Sequence, residues 1–344
     1  MKFINKYLRN LAPYKVASHK VWEVSNEERK NILKLDWNEA TISPSPKVKE
    51  RLQLLVDNEN FYYLYPSTNN DEILQRLSIY TKLPFDNVQY FASSDALHEY
   101  LVRMYITVGD PILILGPTYD NFRLTSETQG AVINYYNYED DFRLNQEGFV
   151  NEIQKLNPSL VYICNPNNPS GNLIPKAFIK KLITRFSDII FLIDEAYYEF
   201  SQETIADEVV NFSNLFVSRT FSKAFALANF RAGYLISDAN NIQQISKIRN
   251  PKNFTTFAQE AVIGVLSDID YMWQYVKEVN EAKIQFVEQL NNLPFINSVF
   301  ESHANFVLIR FIEFEMKLSK LLTTNEKSNL NEYLEIKFDT FIFF

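Results

Sequence analysis

Glycine is scarce in this sequence, at 7 residues of 344, so each glycine that remains is informative about what the backbone demands there. Cysteine is scarcer still. Cys164 stands alone, which excludes an intrachain disulfide framework and fits a reducing compartment. No apolar run approaches the ~18–20 residues that a membrane span needs. The basic stretch MKFINKYLRNLAPYKV has neither an uninterrupted apolar core nor a small-residue cleavage site, so no secretory signal is expected. No G-x-G-x-x-G follows the first strand, which argues against a dinucleotide-binding protein. Positive charge is in deficit, with 34 Lys and Arg against 42 Asp and Glu, and this argues against nucleic acid or an anionic membrane as the main partner. The expectation is a cytoplasmic protein acting on small molecules, with no metal site.

What is present is a long chain with room for a large core and more than one lobe. The many aromatics, 28 Phe and 20 Tyr, are explained by drift toward AT-rich codons and say little about function. PILIL (111–115), VINYY (132–136), LVYIC (160–164), IIFLI (189–193), NLFVS (214–218) and AGYLI (232–236) are short, apolar and rich in β-branched or aromatic residues. They are expected to be buried strands. Helical patterns over 119–129, 148–155, 175–186 and 240–249 alternate with them, which predicts an α/β fold with a mostly parallel, seven-stranded-type sheet covered by helices. A breaker-poor stretch from Phe254 to about Asn292 predicts one or two long helices. Strand patterns at 296–301 and 305–310, then a helix and a strand near 334–338, predict a smaller α+β lobe. The boundaries are an arm plus strand over 1–45, a large domain over 46–245 and a small domain over 246–344.

Three stretches carry chemistry. In SRTFSKAFALANFRAGY, Ser218–Tyr234, a lysine follows a strand directly, with Thr220 and Ser222 beside it and Arg231 eight residues on. A solvated surface amine is the plain reading of any lysine. Here the apolar neighbours Phe221, Ala224, Phe225 and Ala226 favour a lowered pKa, which frees the amine to attack a carbonyl. The hydroxyls and the guanidinium can together hold a phosphate. NPNNPSG, Asn165–Gly171, follows a strand, and its plain reading is a polar turn. LIDEAYYEF, Leu192–Phe200, places Asp194 at a strand end, where a helix cap is the plain reading. Ligands of open α/β sheets sit outside the carboxyl ends of strands, so Asn168, Asp194 with Tyr197, and Lys223 are expected to converge on one crevice.

With PTY at 117–119, these motifs resemble, in order and spacing, the fold-type I pyridoxal-phosphate enzymes, and among them the histidinol-phosphate aminotransferase family of class I/II aminotransferases. The resemblance runs from LDWNEATISPSPKV (35–48) to HANFVLIR (303–310). It implies an aminotransferase with pyridoxal 5′-phosphate as cofactor, joined to Lys223 as a Schiff base, and Lys223 as the proton shuttle. It further implies that Asp194 pairs with the pyridine nitrogen, that Asn168 and Tyr197 donate to the ring's phenolic oxygen, and that Tyr119 stacks on the ring. The phosphate falls to Ser94 and Asp95 at a helix start, with Thr220, Ser222 and Arg231. Tyr65 matches a tyrosine that reaches the cofactor of the partner subunit, which implies a homodimer.

Two departures stand out. FASSDA (91–96) replaces a glycine-rich segment before the Ser-Asp pair. In LEIKFDT (334–340), Glu335 stands where the family places the arginine that clamps a substrate α-carboxylate, and KLSKLLTTNEKSNLN lacks a second arginine used for the substrate phosphate. Lys337 offers only a point charge in place of the fork. Three readings stay open: an altered C-terminus with impaired catalysis, an acceptor without an α-carboxylate such as a phosphorylated keto-alcohol, or a different alignment of the last thirty residues. Decarboxylation of a phosphorylated amino acid is the rival reaction, because the same cofactor stabilises the carbanion whichever bond breaks. A non-catalytic protein retaining the fold is the rival from another class, and the joint presence of Lys223, Asp194, Asn168, Tyr197 and Arg231 argues against it.

Overall fold

The computed structural model describes residues 5–9, 11–12, 20–29, 32, 34–312 and 340–343. Its centre is a seven-stranded sheet made of β1 (Val88–Phe91), β2 (Pro111–Gly116), β3 (Val132–Asn137), β4 (Leu160–Cys164), β5 (Ile190–Asp194), β6 (Leu215–Thr220) and β7 (Gly233–Ser237). The strand order is β1-β7-β6-β5-β4-β2-β3. Neighbours from β3 through β6 run parallel, while β7 lies antiparallel to both β6 and β1. The expected α/β architecture is therefore observed.

Strand alternation splits the core into two layers. Along β4, Val161 and Ile163 enter one layer, while Leu160, Tyr162 and Cys164 enter the other. β5 and β6 alternate in the same way, with Ile193 and Val217 on the first side and Leu192 and Phe216 on the second. Helices Asp71–Thr81, Gln146–Leu156, Lys176–Arg185 and Thr256–Leu266 cover the first layer. Helices Ser94–Tyr105, Asn121–Thr128 and Ala239–Ile248 cover the second. The helix Pro46–Val56 packs closely on Thr256–Leu266: a Cβ on Gly264 would lie 2.9 Å from Val48 Cα.

A second sheet of three antiparallel strands contains β8 (Ile296–Val299), β9 (Val307–Phe311) and β10 (Thr340–Phe343), in the order β10-β9-β8. The helix Ile269–Asn291 lies against it, through Leu290 with Val307 and Ile309. The breaker-poor stretch thus forms two helices, separated at Ser267–Asp268.

Some expectations differ. Among the described residues of the first 45 there is no strand, only short helical turns at Lys6–Leu8, Lys20–Glu23 and Asn26–Arg29. The strand β1 is absent from the sequence expectation, because VQYF is four residues long and is held as an edge by β7 rather than by its own pattern. The strand expected near 334–338, Glu335 and Lys337 lie outside the described residues. None of the described helices is long and apolar enough to cross a membrane.

Behind the ends of β5 and β6 sits a buried ionic cluster. Arg219 Nε and Nη2 donate to Glu195 Oε2 at 2.9 and 2.7 Å, and both residues are at most 3% exposed. Nearby, Glu199 accepts from the Tyr80 hydroxyl at 3.0 Å. Burial lifts the Glu199 carboxyl from 4.5 to about 7, although Arg219 pulls the other way. A group whose pKa rises on folding contributes stability below its unfolded pKa and loses that contribution as pH climbs through the folded one. The window here is pH 4.5 to about 7, and the loss is about 3 kcal/mol at 1.36 kcal/mol per unit. In urea unfolding, Glu199→Gln should therefore gain about 2–3 kcal/mol relative to wild type on going from pH 5 to pH 8. An unchanged difference between the two pH values would refute the assignment.

Candidate active site

Parallel neighbours end side by side, and the registers Cys164↔Asp194 and Asp194↔Ser218 bring the carboxyl ends of β4, β5 and β6 together. Asp194 is 3% exposed. Its Oδ2 accepts from the Tyr162 hydroxyl at 2.9 Å and its Oδ1 from the Ser218 hydroxyl at 3.2 Å. Among the described residues no lysine or arginine pairs with it. Burial pushes its carboxyl up, against the pull of His98, Tyr162 and Ser218.

Lys223 lies just beyond β6, partly buried, with Nζ donating to the Trp37 carbonyl at 2.8 Å. Its amine stands 5.6 Å from the centroid of the Tyr197 ring. Burial brings the amine down to about 8, while Glu39 and Asp95 raise it again in part. The Tyr197 hydroxyl accepts from two amides, Asn38 Nδ2 at 3.0 Å and Asn168 Nδ2 at 3.3 Å. With both lone-pair directions taken, the phenolic hydrogen is left to donate. Burial moves this phenol well up from its usual range, so it remains a neutral donor.

The NPNNPSG loop divides its labour. Asn165 bridges the loop's ends, donating to Ile174 O at 3.1 Å and accepting from Ile174 N at 2.7 Å. Asn167 donates to Pro117 O at 3.0 Å and Ser170 Oγ at 2.7 Å. Only Asn168 turns to Tyr197. Gly171, at φ +74°, is required by a close approach: a Cβ there would lie 2.9 Å from Ser302 Cα.

Beside Lys223 is a polar cup. Ser93 caps the helix Ser94–Tyr105 by accepting from Ala96 N at 3.1 Å, and the helix's first amides, at Ser94 and Asp95, have no intrahelical acceptor. Arg231 Nη2 stands 3.2 Å from Asp95 Oδ2. Asp95 Oδ1 accepts from Asn121 Nδ2 at 2.9 Å and from the Tyr119 hydroxyl at 3.4 Å. Thr220 Oγ1 lies 3.0 Å from Ser222 Oγ and accepts from Ser222 N at 3.1 Å. The start of β7 approaches so closely that a Cβ on Gly233 would lie 2.6 Å from Ser94 N.

The structure thus links Lys223 to Tyr197 and Asn168, and it links Asp95 to Tyr119 and Arg231. Tyr65 stands apart: it is 78% exposed, with Lys252 Nζ 4.5 Å from its ring centroid. Sequence reasoning missed Asn38, His98, Tyr162 and Ser218. Each is a single polar side chain whose role appears only once strand register and the path of the 34–43 segment are known. Asn38, at φ +53°, sits in a strap whose carbonyl accepts from Asn305 Nδ2 at 3.3 Å.

Comparison with known proteins agrees with this geometry. The sequence profile of aminotransferase class I and II matches residues 30–332, and the chain belongs to that family. It is 42% identical over 309 residues to the dihydroxyacetone phosphate transaminase of Campylobacter jejuni, covering 89% of this chain and 83% of that protein. It is 35% identical over 283 residues to a histidinol-phosphate aminotransferase of Methanococcoides burtonii, covering 82% and 76%. The fold matches the crystal structure of histidinol-phosphate aminotransferase from Sinorhizobium meliloti in complex with pyridoxal-5′-phosphate. That match has a TM-score of 0.78 at 23% identity and covers 90% and 83% of the two chains.

Two outcomes follow from the site's local physics. Trinitrobenzenesulfonate should modify Lys223 with a rate half-maximal near pH 8 and level by about pH 9.5, whereas an ordinary lysine is still gaining there. Peptide mapping separates Lys223 from Lys283, whose amine burial also lowers to about 8; a midpoint above pH 10 at Lys223 contradicts the burial argument. Ser93 adopts φ 95°, ψ 162°, a region that costs a non-glycine residue about 1–3 kcal/mol. Ser93→Gly loses a few tenths in the cap and about 0.4–1 kcal/mol to the freer unfolded chain. A net gain of roughly 1 kcal/mol is expected in thermal unfolding, and a lower Tm would show that no strain is stored there.

Proposed function

We propose that this protein is a pyridoxal 5′-phosphate-dependent aminotransferase whose acceptor is a phosphorylated ketone without an α-carboxylate. The observation that carries the reading is Asp194, a buried carboxylate with no lysine or arginine paired to it among the described residues, on the strand next to the one that leads to Lys223. Such a charge is costly unless a cation meets it, and a protonated pyridine nitrogen is one.

Two further features fit the cofactor. The free hydrogen of the Tyr197 phenol suits a ring oxygen as acceptor. Gly233 lets β7 pack directly against the start of the helix Ser94–Tyr105, whose first amides, at Ser94 and Asp95, and dipole favour an anion. Thr220, Ser222 and Arg231 would complete the phosphate cup, and Tyr119 would cover the ring. Once bound, the cofactor supplies an electron sink for negative charge at the substrate carbon that bears nitrogen. Lys223, with its amine at about 8, is the attachment point, and its Nζ takes and returns the proton at that carbon. Asp194 keeps the ring nitrogen protonated, and Asn168 with Tyr197 hold the ring oxygen.

The acceptor class rests on three supports. In the sequence, Glu335 is the counterpart read for the arginine with which the family clamps a carboxylate. The acidic residues Asp36 and Glu39 lie in the strap that touches Lys223, and both engage Lys34. The Campylobacter jejuni relative is named for dihydroxyacetone phosphate. We place the enzyme in the cytoplasm as a homodimer in which Tyr65 of each copy reaches the other's phosphate. The exposed run Tyr62, Tyr63, Leu64 and Tyr65 supports such an interface.

With pyridoxal phosphate, glutamate and dihydroxyacetone phosphate, the enzyme should release 2-oxoglutarate and form 2-amino-3-hydroxypropyl phosphate. Lys223→Ala should lower turnover by about 10²–10⁴-fold or more. Faster turnover with an α-keto acid such as pyruvate or oxaloacetate in place of the phosphorylated ketone would overturn the acceptor class, and release of CO₂ from a phosphorylated amino acid would overturn transamination.

A further inference from the structure

The helix Ser94–Tyr105 turns a histidine toward the sheet. His98 is 0% exposed and stands edge-on to Phe122 at 5.7 Å and to Tyr162 at 5.9 Å. These two rings stack on each other at 4.4 Å, so the imidazole fills an aromatic box that a leucine would also suit. Its polar atoms are unequal. Nε2 lies 3.0 Å from Ser218 Oγ, whereas Nδ1 has no hydrogen-bond partner among the described residues. A hydroxyl has one hydrogen, and that of Ser218 goes to Asp194 Oδ1. Ser218 Oγ therefore accepts from the imidazole, which places a hydrogen on Nε2. An unpartnered buried polar atom, as Nδ1 is, is destabilising, so packing alone does not account for a histidine here. What the residue does provide is a donor at the far end of a chain from His98 Nε2 through Ser218 Oγ to Asp194 Oδ1.

We infer that His98 is a positioning residue, which acts through the Ser218 hydroxyl to hold Asp194 oriented and anionic for the cofactor's ring nitrogen. The inference rests on the cofactor reading given above. His98 polarises Ser218, and the polarised hydroxyl is a stronger donor to the carboxylate. Tyr162 performs the matching task at Oδ2 directly. Asp194 is thus gripped at both oxygens by neutral donors, and the place of a cationic partner is left to the ligand.

Equilibrium dialysis of pyridoxal phosphate against the full-length apoprotein tests this, with apoprotein Tm as a second measurement. His98→Leu and Ser218→Ala should each raise the Kd about tenfold, the size expected for a lost hydrogen bond to a charged group. The double variant should be no weaker than the weaker single one, because removing Ser218 already disconnects His98. His98→Gln keeps an N–H near the Nε2 position and should stay within about threefold of wild type. His98→Leu should leave the apoprotein Tm unchanged or higher, since the unpartnered Nδ1 is gone. The inference is overturned if His98→Leu leaves Kd within twofold, if the two substitutions multiply to about a hundredfold, or if His98→Gln fails as badly as His98→Leu. Should His98→Leu not fold, Ser218→Ala and His98→Gln still decide, one by weakening binding and the other by retaining it. If wild type itself does not bind the cofactor, the cofactor reading falls and takes this inference with it. Binding by wild type with unmoved variants removes this inference alone.

Discussion

The carboxylate of Asp194 is shut away from water with no lysine or arginine paired to it among the described residues, and the carboxyl edge of the sheet is arranged around that fact. Taking an ion into the interior costs several kcal/mol even after relaxation. Two charge-assisted hydrogen bonds, from Tyr162 and Ser218, offset part of this. Both donors come from strands flanking β5, and the period of two explains why they meet. Tyr162 is two residues before Cys164, the register partner of Asp194, and Ser218 is the partner on the other side. All three therefore face the same layer, the one covered by the helix that carries His98.

The opposite face of the same strand ends holds the complementary arrangement. Glu195 and Arg219 each follow a member of the Asp194–Ser218 pair, so alternation turns them away from the site and toward each other. There the charge is satisfied within the chain: Glu195 also accepts from Ile205 N at 2.9 Å, and Arg219 lies 3.5 Å from the Tyr198 ring centroid. Breaking such a buried pair leaves one charge uncompensated and costs about 3–5 kcal/mol. One face thus fixes the two strand ends relative to each other, which lets the other face carry an uncompensated charge without rearranging.

The residues legible in the sequence were those whose neighbours along the chain announce them. Lys223 among apolar residues after a strand, Asn168 in an Asn-Pro turn and Asp194 at a strand end all have local signatures, and the structure connects Lys223 and Asn168 through Tyr197. Tyr162 and Ser218 have none, because each is one polar side chain inside an apolar strand and gains meaning only from the register with β5. His98 is further removed, reaching Asp194 across 96 positions of sequence only by way of Ser218. The strap residue Asn38 joins Tyr197 across 159 positions, and no periodicity predicts such a closure. The sheet was legible for the same reason that the site was only half so. Burial on both faces writes apolar runs into each strand, whereas pairing between strands is written in none of them.

In the proposed function, the strap is where specificity separates from chemistry. Residues 34–43 belong to no strand, yet they contact the site and its surroundings through Trp37 O to Lys223, Asn38 to Tyr197, Thr41 N to the Tyr275 hydroxyl at 3.1 Å and Ser43 O to the Tyr271 hydroxyl at 3.2 Å. Their backbone is held by the sheet edge on one side and by the helix Ile269–Asn291 on the other. The side chains they carry, Lys34, Asp36 and Glu39, set the local charge. Two carboxylates against one ammonium leave that rim net acidic, and the Lys223 amine registers it through Glu39. On the proposed reading, a substrate group that lies beside the strap meets this charge. On that reading the rim acts on substrate through its charge, while it touches Lys223 through the Trp37 carbonyl and Tyr197 through the Asn38 amide.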